Sequence, residues 1–184
     1  MKKYIIVLMA LFFFAMMNAQ DRYMTRNGHI RFYSHTAMED IDGNNNQVGS
    51  ILDVKTGELA INALIKSFEF SRALMQEHFN ENYMESDKLP KATFKGAVLN
   101  MKDIDVKKDG VYNVDVKGDL TIHGVTKNVT EKGTLEVKGG KINASSKFHV
   151  IPEDYDIKIP SLVKEKIAKE LEVTVELNYE PLTK

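Results

Sequence analysis

The residues best able to do chemistry in this chain are five histidines, His29, His35, His78, His123 and His149, set among many carboxylates. No two histidines stand at i and i+4 with an acid between them, the helical spacing that holds zinc. His29 and His35 fall six residues apart on one predicted strand, and His123 falls on the wet face at a strand end. The spacing predicts scattered surface and loop histidines, with no metal site. The chain has no cysteine, hence no thiolate nucleophile, and no G-x-S-x-G elbow places a serine beside a base. Gly139-Gly140 has the form of a chain reversal without a phosphate-loop pattern. No catalytic residue, metal or cofactor is predicted.

A second group of candidates is apolar. Phe68 to Met84 reads FEFSRALMQEHFNENYM. Leu74, Met75, His78 and Phe79 recur at helical spacing behind Ser71, a predicted N-cap. Phe68, Phe70, Leu74, Met75 and Phe79 either pack this helix as core on the end of a larger body or form a lid contacting a chain-like ligand. In the second case Arg72, His78 and Lys66 stand where an anionic headgroup would be met. Burial of an apolar tail would supply affinity at about 25 cal/mol per Å² before ordering costs.

These groups must be positioned by strands. From Tyr112 to Ile122 apolar and glycine residues alternate with Asn113, Asp115, Lys117, Asp119, Thr121 and His123, the mark of a strand with one dry face. Gly124-Val125-Thr126-Lys127 reads as the break, and Val129, Leu135 and Val137 share a face on the returning strand. Further strands are predicted over Met24 to Thr36, Val48 to Lys55, Leu59 to Lys66, Ala92 to Met101, Lys141 to Ile151 and Leu171 to Tyr179. Asp40 to Gln47, DIDGNNNQ, reads as a polar turn cluster, and Ser161 to Ala168 as a second short helix capped by Ser161. Eight strands, two short helices and no linker make one all-β domain with short helices. An eight-stranded antiparallel barrel removes exposed edges; a two-sheet sandwich is the alternative.

The chain lacks Trp, shows no aromatic girdle and carries dense mixed charge on its polar faces, which favours a barrel dry within over an outer-membrane barrel dry without. Gly96, Gly118, Ala63, Ala144 and Ser146 fall on the inward faces. Such small residues either leave a void or are covered by large neighbours. If a void exists, Phe32, Ile61, Phe94, Val114, Leu120, Ile122, Phe148 and Val175 are the predicted lining that would touch an apolar ligand.

Lys2-Lys3, the apolar run Tyr4 to Met17 and Asn18-Ala19-Gln20 have the three parts of a secretory signal, so residues 1–19 are predicted to be removed and 20–184 to form the barrel. The alternative is an uncleaved anchor, although the run is short for a span. The whole chain has 25 basic and 26 acidic residues; without Lys2 and Lys3 the balance is 23 against 26, a net charge of −3 that offers nothing to a nucleic-acid backbone.

LMQEHFNENYMESDKLPKATFKG, at Leu74 to Gly96, followed by GDLTIHGVTKNV, at Gly118 to Val129, resembles the YceI-like family, and the similarity runs from about Gly28 to Tyr179. The resemblance implies an exported bacterial protein, periplasmic or secreted, with a lipocalin-like barrel that binds or carries a polyisoprenoid or other long amphiphilic lipid in its lumen. It implies no catalysis and no membrane span in the mature chain, and it leaves a homodimer open. Many members carry an Arg-Asp-x-His-Leu type segment before the proline. Here Ser71 to Phe79 matches it only at His78 and Phe79, so the headgroup contacts depart from the family pattern. The segment Ile151 to Glu170 also replaces a more extended region of the longer members. In such a product the glycosylation-like triplets at Asn128 and Asn143 are chance matches. Two further functions stay beside this reading: an enzyme acting on a lipid or quinone-like substrate in the same cavity, which needs an ionisable residue facing the lumen, and a filled-core structural or stress protein, which needs no cavity.

Overall fold

The structure, a computed structural model, describes residues 21–182; the predicted signal segment 1–19 lies outside the described residues. Eight strands follow in chain order: β1 Arg22–His35, β2 Asp40–Asp53, β3 Glu58–Leu64, β4 Lys91–Val98, β5 Gly110–Ile122, β6 Val125–Lys138, β7 Lys141–Val150 and β8 Leu171–Pro181. Each pairs antiparallel with its sequence neighbour, and β1 pairs with β8 to close a barrel. A short helix, α1 Ala73–His78, continues into one π-helical turn, Phe79–Tyr83, between β3 and β4.

The alternation places one apolar set inside. Val48, Leu52, Val98, Val114, Leu135, Val137, Ile142, Leu177 and Tyr179 are all buried in one cluster. A smaller cluster of Ile65, Met84, Val150, Tyr155 and Ile157 sits at the end where α1 lies. We call that end the mouth.

The β5–β6 hairpin keeps thirteen paired positions, from Gly110↔Val137 to Ile122↔Val125. Its turn is only His123-Gly124, with φ of 50° and 77°. Two positive φ values make the turn whose twist matches a hairpin, so Val125 to Lys127 belong to the strand, not to the break the sequence suggests. His123 is consequently packed against neighbouring loops rather than sitting on the wet face: its side chain is 12% exposed, Nδ1 lies 3.2 Å from the Tyr155 carbonyl and Nε2 lies 3.5 Å from Glu85.

The polar run Asp40 to Gln47 is strand, not turn. Its polar groups are met across strands. Arg31 forks onto Asp42 at 2.8 Å through each of two nitrogens, His29 reaches Asn44 at 3.1 Å, and the buried Asn45 amide donates to the Leu64 carbonyl at 3.0 Å. Register shifts between Thr25 and Ile30 switch the inward parity of both β1 and β2. Tyr23 and Thr25 face in before the shift, and Ile30, Phe32 and Ser34 after it. A bulge of this kind hides a strand from a simple period-two count.

The two predicted caps are absent. Arg72 holds the N-cap position of α1, without a side-chain cap. Residue Glu69 exchanges backbone hydrogen bonds with Asn44 at 2.8 and 3.0 Å, which keeps Phe68 to Phe70 extended and delays the helix. Ser161–Lys166 is 3-10 rather than α-helical, again uncapped.

Candidate lipid-binding lumen and its mouth

The barrel encloses a cavity of about 220 Å³. Phe32, Ile61, Phe68, Phe79, Phe94, Val114, Leu120, Ile122, Phe148 and Val175, ten of the thirteen residues expected to line it, do so. Inward alternation on β1, β3, β4, β5, β7 and β8 brings eight of them to the cavity, and Phe68 and Phe79 reach it from the segment between β3 and β4. The small residues behave in two ways. Gly96 and Gly118 face each other across β4 and β5, and a Cβ on either would lie 2.7 Å from the Phe94 ring. Phe94 therefore covers the glycine pair and fills that part of the lumen. Ala63 and Ala144 remain uncovered on the cavity lining.

A second cavity, of about 350 Å³, lies at the mouth. The other three expected residues, Phe70, Leu74 and Met75, line this outer chamber together with Arg72 and His78. Leu74 is 61% exposed. Residues Phe32, Phe79, Met84, Pro152, Ile157 and Leu171 border both cavities. Between them stands an aromatic cluster. Phe79 stacks on Phe32 at 5.3 Å and 20°, tilts onto Phe70 at 5.0 Å and onto Phe68 at 5.6 Å. Rings at these separations attract one another through offset and edge contacts.

The outer chamber is polar on its rim. Arg72 is ion-paired with Glu39, tying the start of α1 to the entry of β2. Lys166 lines the same chamber and was missed in the sequence, because it follows a segment whose path no periodicity reveals. Lys66 is not among the chamber's lining residues; it turns to Asp87 instead. Inside the barrel, Tyr179 is buried and shares a 2.6 Å hydrogen bond with Ser50; burial pushes its phenol far above the ordinary value. Glu131 is the carboxylate on the inner cavity's lining, and burial pushes it above the usual carboxylate range. The sequence carried a signal for it: Glu131 has the same parity as Val129, Leu135 and Val137, the shared face of its strand, but its charge hid it among the outward acids. Among the described residues no cluster of three or more His, Asp or Glu residues converges as metal ligands.

The YceI-like domain matches residues 23–179, nearly the whole described chain. The chain belongs to the YceI-like family. UPF0312 proteins of Pseudomonas putida strains W619 and GB-1 are each 26% identical over 153 residues, covering 78% of this chain and 73% of theirs. Among solved structures, a polyisoprenoid binding domain from Saccharophagus degradans, implicated in plant cell wall breakdown, superposes with a TM-score of 0.78 at 15% identity, over 88% of this chain and 99% of that one. Burkholderia cenocepacia BcnA superposes with a TM-score of 0.68 at 15% identity, over 82% and 95%. At such identities these likenesses establish the fold of this YceI-like chain: an eight-stranded lipocalin-like barrel.

Proposed function

We propose that this YceI-like barrel binds a long apolar chain, of polyisoprenoid or similar amphiphilic lipid, in its lumen and carries it without chemistry. The observation that carries the reading is the inner cavity. Its lining is almost wholly apolar side chains, and it adjoins an outer chamber through a cluster of aromatics and methionine that borders both cavities. An apolar void of this kind stays dry and favours an apolar guest. Each methylene taken from water into it contributes about 0.8 kcal/mol.

In this reading Phe32, Ile61, Phe94, Val114, Leu120, Ile122, Phe148 and Val175 touch the tail, and Phe68, Phe70, Leu74, Met75 and Phe79 gate it. Arg72, His78 and Lys166 meet an anionic headgroup in the outer chamber. The pairing of Arg72 with Glu39 means a headgroup must compete with that carboxylate. The signal-like segment over residues 1–19 supports carriage outside the cytoplasm. Among the described residues the inner cavity's one carboxylate is Glu131, without a side-chain hydrogen-bond partner to serve as base or relay, which favours carriage.

Native mass spectrometry of the delipidated mature protein titrated with a long-chain prenol tests this. A one-to-one adduct is expected, abolished by Ala144→Trp, which fills the lumen from β7. An unliganded mass at every prenol concentration overturns the proposal, as does an adduct that the filled variant retains in full.

A further inference from the structure

The barrel wall is not hydrogen-bonded all the way round. β6 and β7 pair only from Gly133↔Ser146 to Lys138↔Lys141. Toward the mouth, Val125 to Lys132 pair with β5 alone, and Lys147 to Val150 with β8 alone. The opening is bounded. At its lower end the Ser146 hydroxyl donates to the Lys132 carbonyl at 2.7 Å. At its upper end Lys127 reaches Asp154 at 3.0 Å and lies 5.6 Å from the centre of the Tyr155 ring. Between these two ties the wall has a window.

Glu131 stands in that window and faces inward. It is paired directly opposite Val116 on β5, a residue on the cavity lining, and its alternate neighbours Val129 and Gly133 line the same cavity. Phe148 and Val150 line it from β7. Among the described residues no hydrogen bond engages the Glu131 carboxylate; the charge that acts on it is His149 across the window, and burial outweighs it. Glu131 is partly buried beside an apolar lining, which disfavours its charged form, and a ligand that brings a hydrogen-bond donor to it offsets that cost.

We propose that Glu131 and the β6–β7 window form a second polar subsite of the lumen, which takes a hydrogen-bond donor, a hydroxyl or a primary amine, carried on the ligand's chain. This rests on the lumen holding an apolar chain and names the class of chain: one with a donor at or near the level of Glu131, rather than a plain hydrocarbon or a second anion. A primary ammonium gains a charge-assisted bond there and a hydroxyl a neutral one. A carboxylate or an ester oxygen, having no proton to give, leaves Glu131 unpaired.

The test is displacement of a lumen-bound fluorescent dye by single-chain amphiphiles of equal length ending in amine, alcohol, carboxylate or methyl ester. Wild-type protein is expected to bind amine and alcohol at least fivefold more tightly than the ester, and the carboxylate no more tightly than the ester. Glu131→Gln is expected to remove the advantage of the amine over the alcohol. Glu131→Leu is expected to erase both advantages and to bind the ester as tightly as wild type or tighter. Equal affinity of alcohol and ester in wild type overturns the proposal, as does a Glu131→Leu protein that weakens on every probe alike. Failure of all four probes to displace the dye instead overturns the lumen reading itself, so the two failures are told apart.

Discussion

Gly96 and Gly118 show how single residues set the width of the lumen. A Cβ on Gly96 would lie 2.2 Å from the Lys117 carbonyl oxygen, and one on Gly118 would lie 2.4 Å from that of Lys95. Backbone cannot yield at such distances without opening the β4–β5 ladder. Gly96→Ala is therefore expected to cost about 2–3 kcal/mol in urea denaturation and to lift Phe94 from its seat. Asp42 offers a test by pH. Arg31 holds its carboxyl below the usual carboxylate range. A lowered folded value stabilises the protein above the unfolded value of about 3.9, and this contribution is lost as pH falls through the folded value. The pair is more than a third exposed on the Asp42 side, so Asp42→Asn is expected to cost only about 0.5 kcal/mol at pH 7 and progressively less as pH falls through the folded value. Glu131 runs the other way. Its folded value is raised, so the penalty for ionising it is absent below the unfolded value and grows as pH rises through the folded one. In the empty barrel Glu131→Gln is expected to raise the melting temperature at pH 7.5 and to leave it unchanged at pH 4.

At the scale of elements, strict alternation was enough to read β5, β7 and β8, because each pairs in unbroken register with at least one neighbour. It missed the first half of β2, where Asp42, Asn44 and Asn45 are satisfied by Arg31, His29 and Leu64 rather than by a turn. Those partners lie on other strands and leave no local mark. The helical excursion was legible from Leu74, Met75, His78 and Phe79, but not its late start, which Glu69 sets by bridging to Asn44. Eight lumen residues on strands could be placed because inward position follows from parity, while Phe70, Leu74 and Met75 fell in the outer chamber instead; Glu131 shares the parity of Val129, Leu135 and Val137 and was passed over because it is charged, and Lys166 follows an irregular path. The helix α1 buries no residue and lacks a side-chain cap, so it opens at low cost. Its amides are expected to exchange with deuterium far faster than those of β5 and to slow when a chain fills the lumen. Phe79→Ala removes the ring that touches Phe32, Phe68 and Phe70. It is expected to destabilise the protein by about 2–3 kcal/mol and to speed ligand release tenfold or more in stopped-flow displacement.

For the whole molecule, pairing β1 with β8 joins all eight strands in one ring, although stretches of β2, β5, β6 and β7 are paired on one side only. Closure gives the interior an apolar lining, and the choice of small against large inward residues decides how far it is filled. Phe94 over its glycines closes part of it; Ala63 and Ala144 leave the rest. The account as a whole stands on a chain lying in that space. Its most direct test is a crystal structure of the delipidated protein soaked with a long-chain prenol. Continuous density running from the Phe32–Phe79 contact past Leu120 and Phe148 is the result predicted; density only on the outer surface, or a lumen closed by its own side chains, would contradict it.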